Sequence, residues 1–295
     1  MPHPLDDTQG DPIIASMTTR ANQPGNTTAT DLQIMGILNV TPDSFSDGGN
    51  FVDASRAVKH ALQMIDDGAD IIDVGPESTR PGSQPVCDDE QINRAVPVIE
   101  AIRKSNTSIA ISIDTQSARV AKAALDAGAN IVNDISALRG DDAMASLVSR
   151  RKCGIILMHM QGTPATMQHN PTYTDVVAES IAFLRERCDF AMDAGIERSR
   201  IVVDPGIGFG KTTAHNLEIM RRLGEYQSLG VDVLLGASRK RFLDEITPGS
   251  SKPDERLAGS LACVARAIQS GVRIVRVHDV AETRQFISAF RSLLP

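Results

Sequence analysis

The residues best suited to chemistry in this sequence stand just after short apolar runs. Asn39 follows Ile34–Leu38, Glu77-Ser78-Thr79-Arg80 follows Ile71–Val74, and Asp114-Thr115 follows Ile109–Ile113. Asn133-Asp134 follows Ile131–Val132, His159 follows Gly154–Met158, and Asp204 follows Ile201–Val203. Ser238-Arg239-Lys240 comes after Val231–Leu235, while Arg276 and His278 close the run Ile274–Val277. Arg276 and His278 are two positions apart, so on an extended chain they point to the same side. They are expected to form a cationic pair near neutral pH and to suit an anion such as phosphate, as does Lys240. Asp114, Asn133 and Asp204 offer both donors and acceptors to a flat heterocycle. Asn39 offers an amide oxygen to Mg²⁺, which keeps several waters and shares substrate phosphates. By residue chemistry alone, the ligand has a polar flat ring and an anionic group.

Each of these residues also has a plainer reading. Asp114 could cap the next helix, although Thr115 and Ser117 could do so instead. One of Asn133 and Asp134 is expected in a turn, and Asp204 could open the turn at Pro205-Gly206. His159, between Met158 and Met160, reads as a packed histidine, and His278 could cap the last helix. The segment Asp204-Pro205-Gly206-Ile207-Gly208-Phe209-Gly210-Lys211-Thr212 looks superficially like a phosphate loop but lacks the GxxxxGK[ST] spacing.

The elements that position these residues follow from periodicity. The eight runs are rich in Ile and Val and read as apolar on both faces, as buried parallel strands require. Between them Ala54–Asp67, Ala178–Ala194 and Glu255–Ser270 carry apolar residues at helical spacing. A helix–Gly–strand junction recurs at Gly68, Gly128 and Gly271, with Gly230 as a further candidate. Repeated βα units of roughly 30 residues or more predict a parallel α/β protein. An open dinucleotide-binding sheet would show GxGxxG after its first strand, where this chain has Asn39-Val40-Thr41-Pro42-Asp43. The expectation is a single-domain (β/α)8 TIM barrel over residues 32–295, close to the ~250 residues typical of that fold. Residues 1–31 are expected to form a flexible N-terminal extension, since they are polar and carry neither the basic flank nor the apolar stretch of a secretory signal. The loops Thr41–Gly49 and Glu77–Gln84 are Gly- or Pro-bearing, polar and placed to act as lids. Phe45 and Phe209 stand in polar loops at the mouth, where they either meet an aromatic second substrate or anchor a lid.

Composition excludes several classes. The chain has 295 residues, 41% hydrophobic and 23% charged, with a net charge of −7. That balance argues against a general nucleic-acid surface, and no apolar run reaches the ~20 residues of a membrane helix. With no Trp and two Tyr, a sugar-stacking glycosidase cleft using Asp114 and Asp204 is disfavoured. Four scattered cysteines have no zinc spacing and read as reduced thiols in a cytoplasm.

The stretch Met35-Gly36-Ile37-Leu38-Asn39-Val40-Thr41-Pro42-Asp43-Ser44-Phe45-Ser46-Asp47-Gly48-Gly49 resembles the opening signature of the dihydropteroate synthase family. The resemblance continues in order through Glu77–Gly82, Ser112–Thr115, Asn133–Ile135, Leu157–Gly162, Asp204–Lys211, Ser238–Lys240 and Arg276–Asp279. It implies a pterin-binding barrel that condenses 6-hydroxymethyl-7,8-dihydropterin diphosphate with 4-aminobenzoate, giving 7,8-dihydropteroate and pyrophosphate in folate biosynthesis. By the same resemblance Asp114, Asn133, Asp204 and Lys240 bind the pterin, and Ile135, Met158 and Gly236 line its pocket. Asn39, Arg276 and His278 hold the diphosphate, with Mg²⁺ at Asn39. Phe45, Thr79, Arg80, Pro81, Phe209 and Lys240 shape the aminobenzoate site, which sulfonamides also occupy in the family. The implied catalytic set is Asp114, Lys240, Arg276 and His278, in an SN1-like departure of diphosphate, and the implied assembly is a cytoplasmic homodimer joined through outer helices. Two positions depart from the family pattern: Pro76, commonly Gly, and Arg241, Ser in some members. The alternatives are a methyltetrahydrofolate:corrinoid methyltransferase, disfavoured by the Phe45 loop and the Arg276/His278 pair, and a catalytically silent pterin-binding paralogue.

Overall fold

The computed structural model describes residues 32–41, 50–78 and 84–293. The expected extension 1–31, both lid tips, and the site residues Phe45, Thr79, Arg80 and Pro81 lie outside the described residues. Eight strands close into one barrel in sequence order, each parallel to its neighbours, with β8 pairing back to β1. They are β1 (Gln33–Asn39), β2 (Ile71–Gly75), β3 (Ala110–Asp114), β4 (Ile131–Asp134), β5 (Gly154–Met158), β6 (Ile201–Asp204), β7 (Asp232–Leu235) and β8 (Ile274–Val277). Helices fill every interval: α1 (Asn50–Asp66), α2 (Asp88–Ser105), α3 (Ala118–Asp126), α4 (Ala143–Arg151), α5 (Val176–Asp193) and α6 (Thr213–Arg221). Two helices, α7 (Phe242–Ile246) and α8 (Leu257–Gln269), precede β8, and α9 (Val280–Leu293) follows it. No helix among the described residues is long and apolar enough to cross a membrane.

The glycine junctions work as the pattern predicts. Gly68 takes a left-handed φ of 96°, its N–H donates to Ile65 O at 3.0 Å, and Ala69 N donates to Met64 O at 2.8 Å. These paired bonds satisfy the last carbonyls of α1 and turn the chain directly into β2. Gly128 and Gly271 repeat the arrangement before β4 and β8, and Gly230 adopts a left-handed φ of 67° before β7.

The barrel interior explains where the chemistry can sit. Met35, Ile71, Ala110, Ile131, Ile156, Val202, Leu234 and Ile274, one from each strand, form a closed apolar cluster that floors the barrel. The alternate residues face outward: Ile72, Ile111, Val132, Ile155, Val203 and Val275 join the large core shared with the helices. Two residues beyond the floor, the inward positions become Ile37, Asp73, Ser112, Asn133, Met158, Asp204, Gly236 and Arg276. Reading the runs as apolar on both faces is therefore correct for the floor and fails one step above it at Asp73, Ser112, Asn133, Asp204 and Arg276. Asp73 and Ser112 are fully buried polar residues inside runs whose neighbours are all apolar.

The floor accounts for the barrel's closure. Ile156→Ala, at a position with no solvent exposure, is expected to lower unfolding stability by roughly 2–5 kcal/mol. The shift is read from the urea unfolding midpoint, and an unmoved midpoint would show that the floor is not closely packed.

Candidate active site

The polar step above the floor is organised around one cation. Arg276 on β8 reaches across the barrel, its Nε donating to Asp73 Oδ2 at 2.6 Å and its Nη2 to Asp114 Oδ2 at 3.0 Å. Asn133 Nδ2 donates to the same Asp73 oxygen at 3.2 Å. Four strands are thus tied together by one guanidinium, two carboxylates and one amide. Asp73 Oδ1 and Ser112 Oγ, at paired positions on β2 and β3, have no hydrogen-bond partner.

Local capping decides which polar residues are free for chemistry. Ser117 caps α3, its Oγ accepting from Val120 N at 3.3 Å, and Thr115 Oγ1 accepts from Ser117 N at 3.2 Å. Asp114 is released from that duty. Asp134 is the turn residue of its pair: it accepts from Ser136 N and Leu138 N, both at 2.8 Å, while Asn133 faces the barrel. Asp204 does both jobs. Its Oδ1 accepts from Gly206 N at 2.7 Å, and its Oδ2 lies 3.5 Å from where a side chain on Gly236 would begin.

Bare glycines leave room between these groups. A side chain on Gly236 would also come within 4.0 Å of Arg276 Cβ, and one on Gly75 would start 3.5 Å from Asn39 Oδ1 and 4.0 Å from Asp114 Cβ. One flank is apolar: Phe209 packs on the buried cluster of Ile135, Met158, Met160 and Met167. Lys240 Nζ sits 4.1 Å from the centroid of the Phe209 ring, a cation–π contact. On the other flank His278 Nδ1 is 3.0 Å from Ser238 Oγ. The structure therefore brings together Asn39, Asp114, Asn133, Asp204, Gly236, Arg276, and, around Phe209, Ile135, Met158 and Lys240.

Burial and mutual charge shift the titrating groups. Burial pushes the Asp114 carboxyl up to about 7, opposed by Arg276 and reinforced by Asp73. Asp204 is also raised by burial, against the pull of the Gly206 N–H and Lys240. Burial and then Arg276 push Lys240 down to about 8, with Asp204 and Asp114 resisting. His278 falls to about 3, through burial and the repulsion of Arg276 and Arg239. The expected cationic pair is thus corrected: without a ligand Arg276 carries the charge and His278 is neutral, because an imidazolium would have to be desolvated beside a guanidinium.

The plainer residues settle as well. His159 is packed, its ring edge-on to Phe183 at 5.1 Å, and its Nδ1 lies 2.9 Å from Lys211 Nζ. Arg239 turns away from the mouth to bond Asp279 through Nε at 3.0 Å. Arg241 points to solvent, with its side chain 87% exposed, so it does not line the described site. Pro76 is buried and its carbonyl accepts from Arg94 Nη1 at 3.0 Å. Among the described residues no cluster of three or more His, Cys, Asp or Glu could hold a metal by itself.

Asp73 is the functional residue that sequence reasoning missed. Its one signal was phase: it lies two residues from Ile71 and two from Gly75, on the inward side, where an unpaired carboxylate is not tolerated.

Comparison with known proteins agrees with this geometry. Residues 35–278 match the family described as pterin binding enzyme. The chain is 46% identical over 261 residues to the dihydropteroate synthase of Streptococcus pyogenes serotype M3, covering 88% of this chain and 95% of that one. It superposes on the Xanthomonas albilineans dihydropteroate synthase with 4-aminobenzoic acid, with a TM-score of 0.84 and 42% identity over 91% of this chain and 96% of that one. The same enzyme in complex with 7,8-dihydropteroate gives a TM-score of 0.80 and 40% identity, over 91% and 96% of the two chains.

Replacing Asp73 by Asn removes the negative charge that pairs with Arg276 and leaves only a neutral amide oxygen to accept from it. Asp73→Asn is expected to retain the fold by circular dichroism and to lose turnover by about 100-fold, as misplacement of a binding group does. Turnover at the wild-type level would show that Asp73 only fills space.

Proposed function

The chain belongs to the family of pterin-binding enzymes and has the activity of a dihydropteroate synthase, a transferase of folate biosynthesis; we propose that the residues of the barrel mouth divide the work as follows. The observation that carries the proposal is the space left by Gly236, one step above the floor, which has Asp204 Oδ2 and Arg276 at its edges. A flat pterin over that glycine would meet carboxylate and amide acceptors from Asp204, Asp114 and Asn133. Lys240 would add a donor at the rim, and Met158 and Ile135 an apolar wall. The diphosphate would lie toward Asn39, Arg276 and His278.

In the reaction the bond between the pterin CH₂ and the diphosphate oxygen breaks, and its electron pair leaves with pyrophosphate. Positive charge develops on the CH₂ and spreads into the ring, where ionised Asp114 would oppose it. The aniline nitrogen of 4-aminobenzoate then gives its lone pair to the CH₂ and loses one N–H proton to solvent. That nitrogen is neutral near pH 7, so no strong base is needed. Phe209, with Lys240 above it, would form one wall of the aminobenzoate site. The methionine-rich cluster beneath would keep water from the reactive carbon. Phe45, Thr79, Arg80 and Pro81 would complete this site, outside the described residues.

Asn39 gives the site one neutral oxygen donor, which suits Mg²⁺ arriving with the substrate rather than a resident ion. When bound, Mg²⁺ would supply charge neutralisation on the departing diphosphate. Arg276 supplies a fixed positive charge from the protein side. A diphosphate beside His278 would counter the repulsion that holds this imidazole neutral.

The direct test is pyrophosphate release from the dihydropterin diphosphate, with and without 4-aminobenzoate. Release that depends on aminobenzoate and Mg²⁺, is abolished by EDTA and is matched by dihydropteroate is the expected result. Asn39→Ala, Lys240→Ala and His278→Ala are each expected to cut turnover by about 100-fold or more with the fold intact. Wild-type rates in all three would place the site elsewhere. Pterin binding without release would instead indicate the silent paralogue, with Pro76 the first residue to replace.

A second expectation concerns pH. Because the carboxylate form of Asp114 is required and burial raises its pKa to about 7, turnover should fall as pH drops through about 7. Asp114→Asn should give a low rate without that acid limb. An acid limb that survives in Asp114→Asn would assign it to another group.

A further inference from the structure

The mechanism leaves Lys211 unused, yet Lys211 is the most buried cationic residue among those described, at 3% exposure. Four atoms surround its Nζ: His159 Nδ1 at 2.9 Å, His159 O at 3.2 Å, Gly206 O at 3.0 Å and Phe209 O at 3.0 Å. Three are carbonyl oxygens, which can only accept. The fourth is an imidazole that burial and Lys211 hold neutral, with its pKa pushed down to about 2. A neutral amine brings only two N–H bonds to three carbonyls and needs the Nδ1–H tautomer of His159 to fill its lone pair, whereas an ammonium brings three hydrogens to the four atoms, with the two His159 atoms sharing one. Burial, and then Lys240, push the Lys211 pKa down to about 7 against the pull of Asp204, so the inward carbonyls are what hold its proton.

The loop is shaped to make this shell. Gly206, Gly208 and Gly210 have left-handed φ values of 70°, 82° and 61°. A side chain on Gly206 would collide with the His159 carbonyl oxygen. Those turns aim the Gly206 and Phe209 carbonyls inward at the ammonium. The outside of the loop is held separately: Asn216 Oδ1 accepts from Gly208 N at 2.8 Å, and Tyr173 Oη donates to Gly210 O at 2.8 Å. The arrangement is a cation site whose cation is the chain's own side chain. Because the Phe209 carbonyl is one of the four contacts, the backbone that bears the Phe209 ring is fixed by Lys211, and Lys240 Nζ rests over that ring. Asp204, by contrast, is held chiefly by its strand, in register with Met158, and meets the loop through Gly206 N, which donates to its Oδ1.

We propose that Lys211 is a positioning residue, the buried ammonium around which the 205–210 loop folds, and that it sets recognition of the aromatic amine by fixing Phe209. This inference rests on the assignment of Phe209 to the aminobenzoate site. The diphosphate-facing residues Asn39 and Arg276, on β1 and β8, and His278, just after β8, keep their geometry without it.

Lys211→Ala removes the side chain from Cγ to Nζ, the atoms of n-propylammonium. The KM for 4-aminobenzoate should rise by about tenfold or more, while kcat and the KM for the pterin diphosphate change by less than about threefold. Added n-propylammonium should restore the aminobenzoate KM, and n-propanol should not. An unchanged aminobenzoate KM overturns the proposal, as does a parallel loss in both KM values and kcat that propylammonium does not repair. If Lys211→Ala does not fold, ¹⁵N NMR of lysine side chains in the intact protein decides. Lys211 should appear as an ammonium with slowly exchanging hydrogens, and a neutral amine or rapid exchange overturns the proposal. Wild-type turnover in the same preparation is the control. A wild type that forms no dihydropteroate overturns the functional assignment, whereas an active wild type with an indifferent Lys211→Ala overturns this inference alone.

Discussion

The guanidinium of Arg276, held by Asp73 and Asp114 across the inside of the barrel, is the interaction on which the rest of the site depends. A charge taken into a barrel interior is costly unless it is paired with good geometry. Here β8 supplies the cation, while β2 and β3 supply the two anions. The same cation enters the balance of nearly every group at the mouth. It lowers the pKa values of Asp114, Asp204, Lys240 and His278. Losing it would therefore leave two buried carboxylates unpaired and reset the charge of the whole mouth.

Such a pair is affordable because the step beneath it is wholly apolar. Eight side chains, one per strand, seal the barrel below Asp73, Asn133 and Arg276. Three of the strands thus change character within two residues, from apolar Ile71, Ile131 and Ile274 to polar Asp73, Asn133 and Arg276. Stability is built at one level and chemistry at the next, and the period-two geometry of a strand keeps them apart.

This abrupt change also decides what could be read from the sequence. Strand number, the parallel order and the glycine-terminated helices were legible, because each is a local pattern repeated many times. The polar strand ends were legible too, since a residue such as Asp114 or Arg276 interrupts an Ile/Val run at its end. Asp73 was hidden because it lies inside such a run, and its partner is more than two hundred positions away. The neutral state of His278 was equally hidden, because it depends on burial and on the three-dimensional nearness of Arg239 as well as Arg276. The choice between cap and catalyst at Asp114 and Asn133 is settled only in three dimensions, since Ser117 and Asp134 could have exchanged duties with them on spacing alone.

The division of labour between neighbouring residues then becomes a general feature of this mouth. Ser117 takes the helix cap beside Asp114, Asp134 the turn beside Asn133, and Arg239 the ion pair with Asp279 beside Lys240. Each chemically suited residue sits within three positions of one that satisfies the backbone or anchors the loop. A strand end must both stop a strand and present a side chain, and one polar group can seldom do both. Asp204 is the exception, with one oxygen for Gly206 N–H and the other toward Gly236. It is also followed by the loop with an internal cation, Lys211, to hold its carbonyls. Where one carboxylate has to serve two ends, a second charge nearby takes over the fixing of the backbone.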